Sequence, residues 1–139
     1  MTESIPMAHV SDVDRSAAFY ELLGFVCHSR FAGPDGGTNW CLLSSGDARL
    51  MLARASGRIN AAEQAVLFYM YSGNVVGLRE HLLWSGVPDG GVPDFEGKPV
   101  NFPAHAPCVF QVVTRFFMPA GELRIHDPDG YVVLVGQRD

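Results

Sequence analysis

Apolar residues recur at helical spacing in the stretch "DVDRSAAFYELLGF", where Ala18, Phe19, Leu22 and Leu23 fall on one stripe. Asp12 opens the stretch as a helix N-cap and Gly24 closes it as a C-cap. The same design returns 62 residues later in "NVVGLREHLLWSGV": Asn74 opens it, Gly86 closes it, and Val75 stands in the place of Val13. A strand-like segment precedes each helix, "IPMAHV" before the first and "AVLFYMY" before the second.

After each helix the period changes to two. The first half continues with "FVCHSRF", "TNWCLLS" and "ARLMLA", separated by turns at "GPDGG" and "SSGD"; the second with "CVFQVVT", "ELRIH" and "YVVLVG". This predicts an α+β chain of two tandem βαβββ modules. Module one runs over about 4–54 and module two over about 65–137, joined by the linker "RASGRINAAEQ" in a single domain over 1–139. The Gly/Pro-rich stretch from Pro88 to Pro107 is expected as a long surface loop. Strand alternation puts Met7, His9, Arg49, Tyr69, Tyr71 and Val132 on one set of faces. It puts Leu50, Leu52, Phe68, Met70, Val133 and Val135 on the opposite faces, under the helices.

Composition narrows the class. With 47% hydrophobic and 18% charged residues, the chain of 139 is expected to fold around a real core. No apolar run reaches the ~20 residues of a membrane span, so no membrane partner is expected. The acidic start "MTESIPMAHV" does not read as a signal peptide, and a cytoplasmic location is expected. Ten basic residues lie scattered under a net charge of -5, which argues against nucleic acid and mildly favours a cationic partner. Cys27, Cys41 and Cys108 form no CxxC pair and read as buried free thiols. Between Trp40 and Leu42, Cys41 reads as a strand thiol rather than a nucleophile. No phosphate loop, GxSxG elbow or Ser-His-Asp order is present.

Three segments together, "VSDVDRSAAFYELLGF", "GDARLML" and "MPAGELRIHDPDGYVVLVGQ", resemble the vicinal oxygen chelate superfamily of glyoxalase I, bleomycin-resistance proteins and extradiol dioxygenases. The resemblance covers nearly the full chain and implies two modules whose strands curl into half-shells, an eight-stranded half-barrel pair around a cavity. It also implies a homodimer. Metal-dependent members carry one ligand on the first and one on the last strand of each module, commonly His and Glu. By register those places fall here at Ile5, Met51, Leu67 and Leu134, all apolar. Such side chains cannot ligate a hard or borderline cation, and one soft Met51 thioether is no site, so no metal and no cofactor is expected. The resemblance therefore points to the metal-free, bleomycin-resistance-like branch.

The candidate ligand-binding residues are His9, Trp40, Met51, Leu67, Tyr69, Tyr71, Glu122 and Arg124. Two readings stand for His9: a polar anchor for a ligand, or a hydrogen-bonded residue at a strand end. Glu122, read as preceding a strand, and Arg124 either meet a ligand or pair with each other. Trp40, Phe116 and Phe117 are stacking surfaces or ordinary core. His28, His81 and His105 are placed on a strand, a helix surface and a loop, and His126 is expected to hold the Asp127 turn. The expected function is metal-free binding of a small aromatic or cationic molecule. The alternatives are a metal-dependent lyase or dioxygenase, and a degenerate member with a structural or regulatory dimer role.

Overall fold

The computed structural model describes residues 1–93 and 107–138. The chain divides into two compact units, Met1–Ile59 and Asn60–Asp139.

The first unit runs β1 (Met7–Val10), α1 (Val13–Leu22), β2 (Val26–Ala32), β3 (Thr38–Ser45) and β4 (Ala48–Arg54). Its sheet has the order β1-β4-β3-β2, with β1 parallel to β4 and the other pairs antiparallel. Asp12 caps α1 by accepting from the Arg15 amide at 3.1 Å. Gly24 leaves the helix at φ +94°, a conformation that favours glycine. Val13, Ala17 and Tyr20 are buried together with Cys41, Leu43, Leu50 and Leu52 of the sheet. The expected stripe is shifted in part: Phe19 is buried as expected, but Ala18 is exposed and Leu22 and Leu23 are half-buried, whereas positions 13, 16, 17 and 20 also face inward. Ser16 disguised that face in the sequence, because a buried hydroxyl interrupts its apolar pattern; its Oγ finds no hydrogen bond among the described residues.

The second unit begins with a short 3-10 turn at Ala61–Glu63, followed by β5 (Leu67–Ser72), α2 (Val75–Trp84), β6 (Asp89–Gly91), β7 (Cys108–Phe110), β8 (Val113–Arg115), β9 (Met118–His126) and β10 (Val132–Gln137). Its sheet runs β5-β10-β9-β7-β6, with β8 pairing on β9. Asn74 caps α2 by accepting from the Gly77 amide at 2.8 Å. Val75 and Leu82 of that helix are buried, as are Phe68, Val109, Leu123, Ile125, Val133 and Val135 of the sheet.

The two helices appear as expected, but the described residues form ten strands, not eight. The segment "CVFQVVT" breaks into β7 and β8, which meet different stretches of β9. Strand β9 starts at Met118, so Glu122 lies within a strand and not ahead of one. β6 forms inside the stretch expected to be loop; 94–106, with His105, lies outside the described residues. Each sheet keeps two free edges, so no closed barrel forms among the described residues. None of the described helices is long and apolar enough to cross a membrane.

The "DPDG" turn is held by Asp127, not by His126. The Asp127 carboxylate accepts from the Asp129 and Tyr131 amides, each at 2.9 Å, and Gly130 turns the chain at φ +82°. His126 belongs to β9 and its ring serves another partner, described below.

Candidate functional site

In each unit one sheet face is packed under its helix. The candidate site residues lie on the other faces, which are described separately.

In the first unit, register across the strands gives one row of His9, Ala53, Trp40 and Phe31, and a second of Met7, Met51, Leu42 and Ser29. His9, Trp40 and Met51 are thus brought onto neighbouring rows. Phe31 and Trp40 meet at 5.3 Å between ring centroids, and Phe31 is 66% and Met7 55% exposed. Ile5 lies just before β1, so its place belongs to no strand. Arg49 is tied up in an ion pair with Glu3. His28, on β2, hydrogen-bonds Ser44, and His81 is exposed on α2.

The second unit presents three rows: Leu67, Val132, His126 and Cys108; Tyr69, Leu134 and Arg124; Tyr71, Gly136 and Glu122. Tyr69 and Tyr71 are 41% and 54% exposed, with ring centroids 5.4 Å apart. Beside them Glu122 is only 3% exposed. The Tyr69 hydroxyl donates to its Oε2 at 2.8 Å, and Arg115 Nε lies 3.7 Å from its Oε1. Gly136 makes room for this contact, since a Cβ there would meet Met118 Cε at 2.7 Å and the Tyr69 oxygen at 3.1 Å. Burial pushes the Tyr69 phenol up to about 12, reinforced by the hydrogen bond to and charge of Glu122.

Arg124 does not pair with Glu122 as one reading expected. Its Nε donates to His126 Nε2 at 3.0 Å, and its guanidinium carbon lies 5.9 Å from the Phe110 ring centroid. His126 is fully buried, and its ring meets that of Phe110 edge-on at 5.0 Å. Burial, with the charge of Arg124, drives the His126 pKa down to about 4, so the imidazole is neutral and its Nε2 is available as an acceptor. Burial also lowers the Arg124 pKa; Arg115 acts in the same direction, against Cys108 and Glu122.

Several sequence expectations change here. Val132 shares the expected face but is buried, because its row ends in the buried His126 and Cys108 and is filled by side chains. Phe116 and Phe117 are neither core nor part of these rows: they sit exposed in the turn between β8 and β9. Arg115, His126 and Phe110 were missed as members of the site. The spacing 122, 124, 126 on one strand could have found His126; Arg115 and Phe110 arrive through pairing, which leaves no local signal. Cys27 is half-buried, whereas Cys41 and Cys108 are buried and pushed up to about 11 by desolvation.

The described residues at the register places do not fit a divalent ion. Met51, Leu67 and Leu134 offer at most one thioether, and no group of three His, Cys, Asp or Glu that could hold a metal occurs among the described residues. A separate cleft of about 750 Å³ opens along β2 near the end of α1. Its Arg30 is already matched by Asp14 and Glu21, and of the rows above it takes in Ser29 but neither His9, Trp40 nor Met51.

No family model matches the chain, and no curated protein matches it. Solved structures do. A bleomycin-binding protein complexed with bleomycin superposes with a TM-score of 0.72 at 19% identity, covering 100% of both chains. A bleomycin resistance determinant encoded on a transposon gives 0.71 at 19% identity, covering 100% of this chain and 99% of the other. An antibiotic binding protein from Streptomyces gives 0.66 at 17% identity over 100% and 98%. The two sheets, the capped helices and these superpositions agree: the chain has the fold of the bleomycin-binding and bleomycin-resistance proteins.

Proposed function

We propose that this protein sequesters a small aromatic molecule without metal chemistry, in the manner of an antibiotic-binding protein. The observation that carries this reading is the exposed Tyr69–Tyr71 pair beside the buried, hydrogen-bonded Glu122. Solvent-exposed aromatic rings held in place by a strand and a hydrogen bond form a stacking platform at little entropic cost. Phe31 and Trp40 form a second such pair on the first unit, with Met51 and His9 beside them. The fold is shared with a bleomycin-binding protein and an antibiotic binding protein, which supports drug sequestration as the role. Exposed Met7, Val26 and Phe31 further favour a homodimer that covers apolar surface.

The test is a thermal-shift and calorimetric screen with bleomycin and a panel of polycyclic aromatic antibiotics. At least one compound is expected to raise the melting temperature, since a ligand of the native state stabilises it. Tyr71→Ala, which leaves the Tyr69–Glu122 bond intact, is expected to weaken that compound at least about tenfold. A panel without effect, or an unchanged affinity in the variant, rejects the reading. Sedimentation velocity measures the dimer separately.

The filling of one row by buried Val132 and His126 favours a second reading, a degenerate member acting through dimerisation alone. It predicts a dimer and no ligand in the same screen.

A further inference from the structure

We propose that Arg124 is an anion anchor, and that the molecule held on the second unit carries a planar oxyanion, a carboxylate, next to its aromatic ring. This rests on the binding reading above and names the chemistry of its ligand.

The inference starts from what Arg124 lacks. It is half-buried, yet no carboxylate among the described residues lies within ion-pair distance of it. The nearest acid on its strand, Glu122, is engaged by Tyr69 and Arg115. Of the guanidinium nitrogens only Nε has a hydrogen-bond acceptor among the described residues, the neutral His126 ring, while Phe110 flanks the group. The terminal nitrogens, which form the fork that matches a carboxylate with two parallel hydrogen bonds, have none there. Desolvating a guanidinium without a counter-charge is costly, and sites that do so commonly hold the charge ready for a ligand.

Arg115 and the Glu122 carboxylate both act electrostatically on Arg124, and Arg138 lies 4.9 Å from the Tyr71 ring centroid. The net charge of -5 belongs to the whole chain, whereas the described residues beside these rings include Arg124 and Arg138. Position supplies the geometry. Leu134 is flanked in register by Tyr69 on one side and Arg124 on the other. Two strand spacings, about 10 Å at the backbone, therefore separate the aromatic platform from the cationic fork. A flat ring on the tyrosines with a carboxylate at its edge spans that interval over the apolar Leu134. The inference reverses the cationic ligand that composition alone favoured.

Three probes of one shape decide it: 1-naphthoate, 1-naphthamide and 1-naphthylmethylammonium, measured by calorimetry on the full chain. Naphthoate is expected to bind tightest. Arg124→Gln is expected to weaken naphthoate by about 10–100-fold, the range for a lost charged hydrogen-bond pair, and to leave the amide nearly unchanged. Arg124→Lys, which keeps charge but not the fork, is expected to recover part of the loss. If the ammonium or the amide binds as tightly as naphthoate to the unaltered protein, the anion inference is overturned while sequestration of aromatics stands. That comparison needs no variant, so it holds even where Arg124→Gln fails to fold. Unchanged naphthoate affinity in a folded Arg124→Gln also overturns the inference, and binding of none of the three overturns it together with the reading it rests on.

Discussion

The Tyr69 hydroxyl donates to the Glu122 carboxylate at 2.8 Å, tying an exposed ring on β5 to a buried acid on β9 across the intervening strand β10. Removing the donor leaves the carboxylate, 3% exposed, with one fewer partner. Tyr69→Phe is expected to lower stability by about 1–2 kcal/mol in urea unfolding. In an absorbance titration the unaltered protein should show a phenol ionising at about pH 12 that the variant lacks.

Acid should destabilise the second unit through His126. Its folded pKa is about 4, against 6.5 for a free histidine, because burial penalises the imidazolium. The unfolded chain therefore takes up the proton first. The stability is fully present above pH 6.5 and is lost progressively as pH falls toward 4, by up to about 3 kcal/mol. The depressed carboxylates Asp35 and Asp89, held down chiefly by Arg54 and by the Gly91 amide respectively, titrate below that window. Melting curves from pH 7 to 4 should fall for the unaltered protein and flatten for His126→Gln.

The last turn should tolerate no side chain at Gly130. A Cβ there would come within 2.6 Å of the Ala61 carbonyl oxygen, at a backbone φ of +82°. Gly130→Ala is expected to cost about 3 kcal/mol, combining strain and overpacking. Gly46 is the control: its φ is +57° but nothing lies within 4 Å, so Gly46→Ala should cost only about 1 kcal/mol. Parallel denaturant curves measure the difference.

Thiol labelling should separate the three cysteines. Cys41 and Cys108 are fully buried and pushed up to about 11, so neither forms thiolate at neutral pH. Native protein treated with iodoacetamide at pH 8 should be modified at the half-buried Cys27 alone, and at all three only after unfolding. Mass spectrometry of the peptides reads this directly.

Both helices were legible because capping is local: Asp12 and Asn74 sit within three residues of the amides they receive. The facing of Leu50, Leu52, Val133 and Val135 was legible because strand alternation is a property of the chain itself. The inward face of α1 was misplaced, since a buried serine looks polar in a pattern. The split of "CVFQVVT" was invisible, because a strand breaks where its partner changes and the partner is distant in sequence.

The sequence by itself determined the two capped helices, the strand alternation, and Tyr69 and Tyr71 on one face, because capping, turns and alternation act over a few residues. Only tertiary structure decided which charges meet. Composition gave a net acidic chain and suggested a cation. Strand pairing instead gave Glu122 to Tyr69 and Arg115, gave Arg124 to a neutral His126, and left its terminal nitrogens without an acceptor among the described residues. Electrostatic interactions depend on distance and burial, and neither can be read from the order of residues.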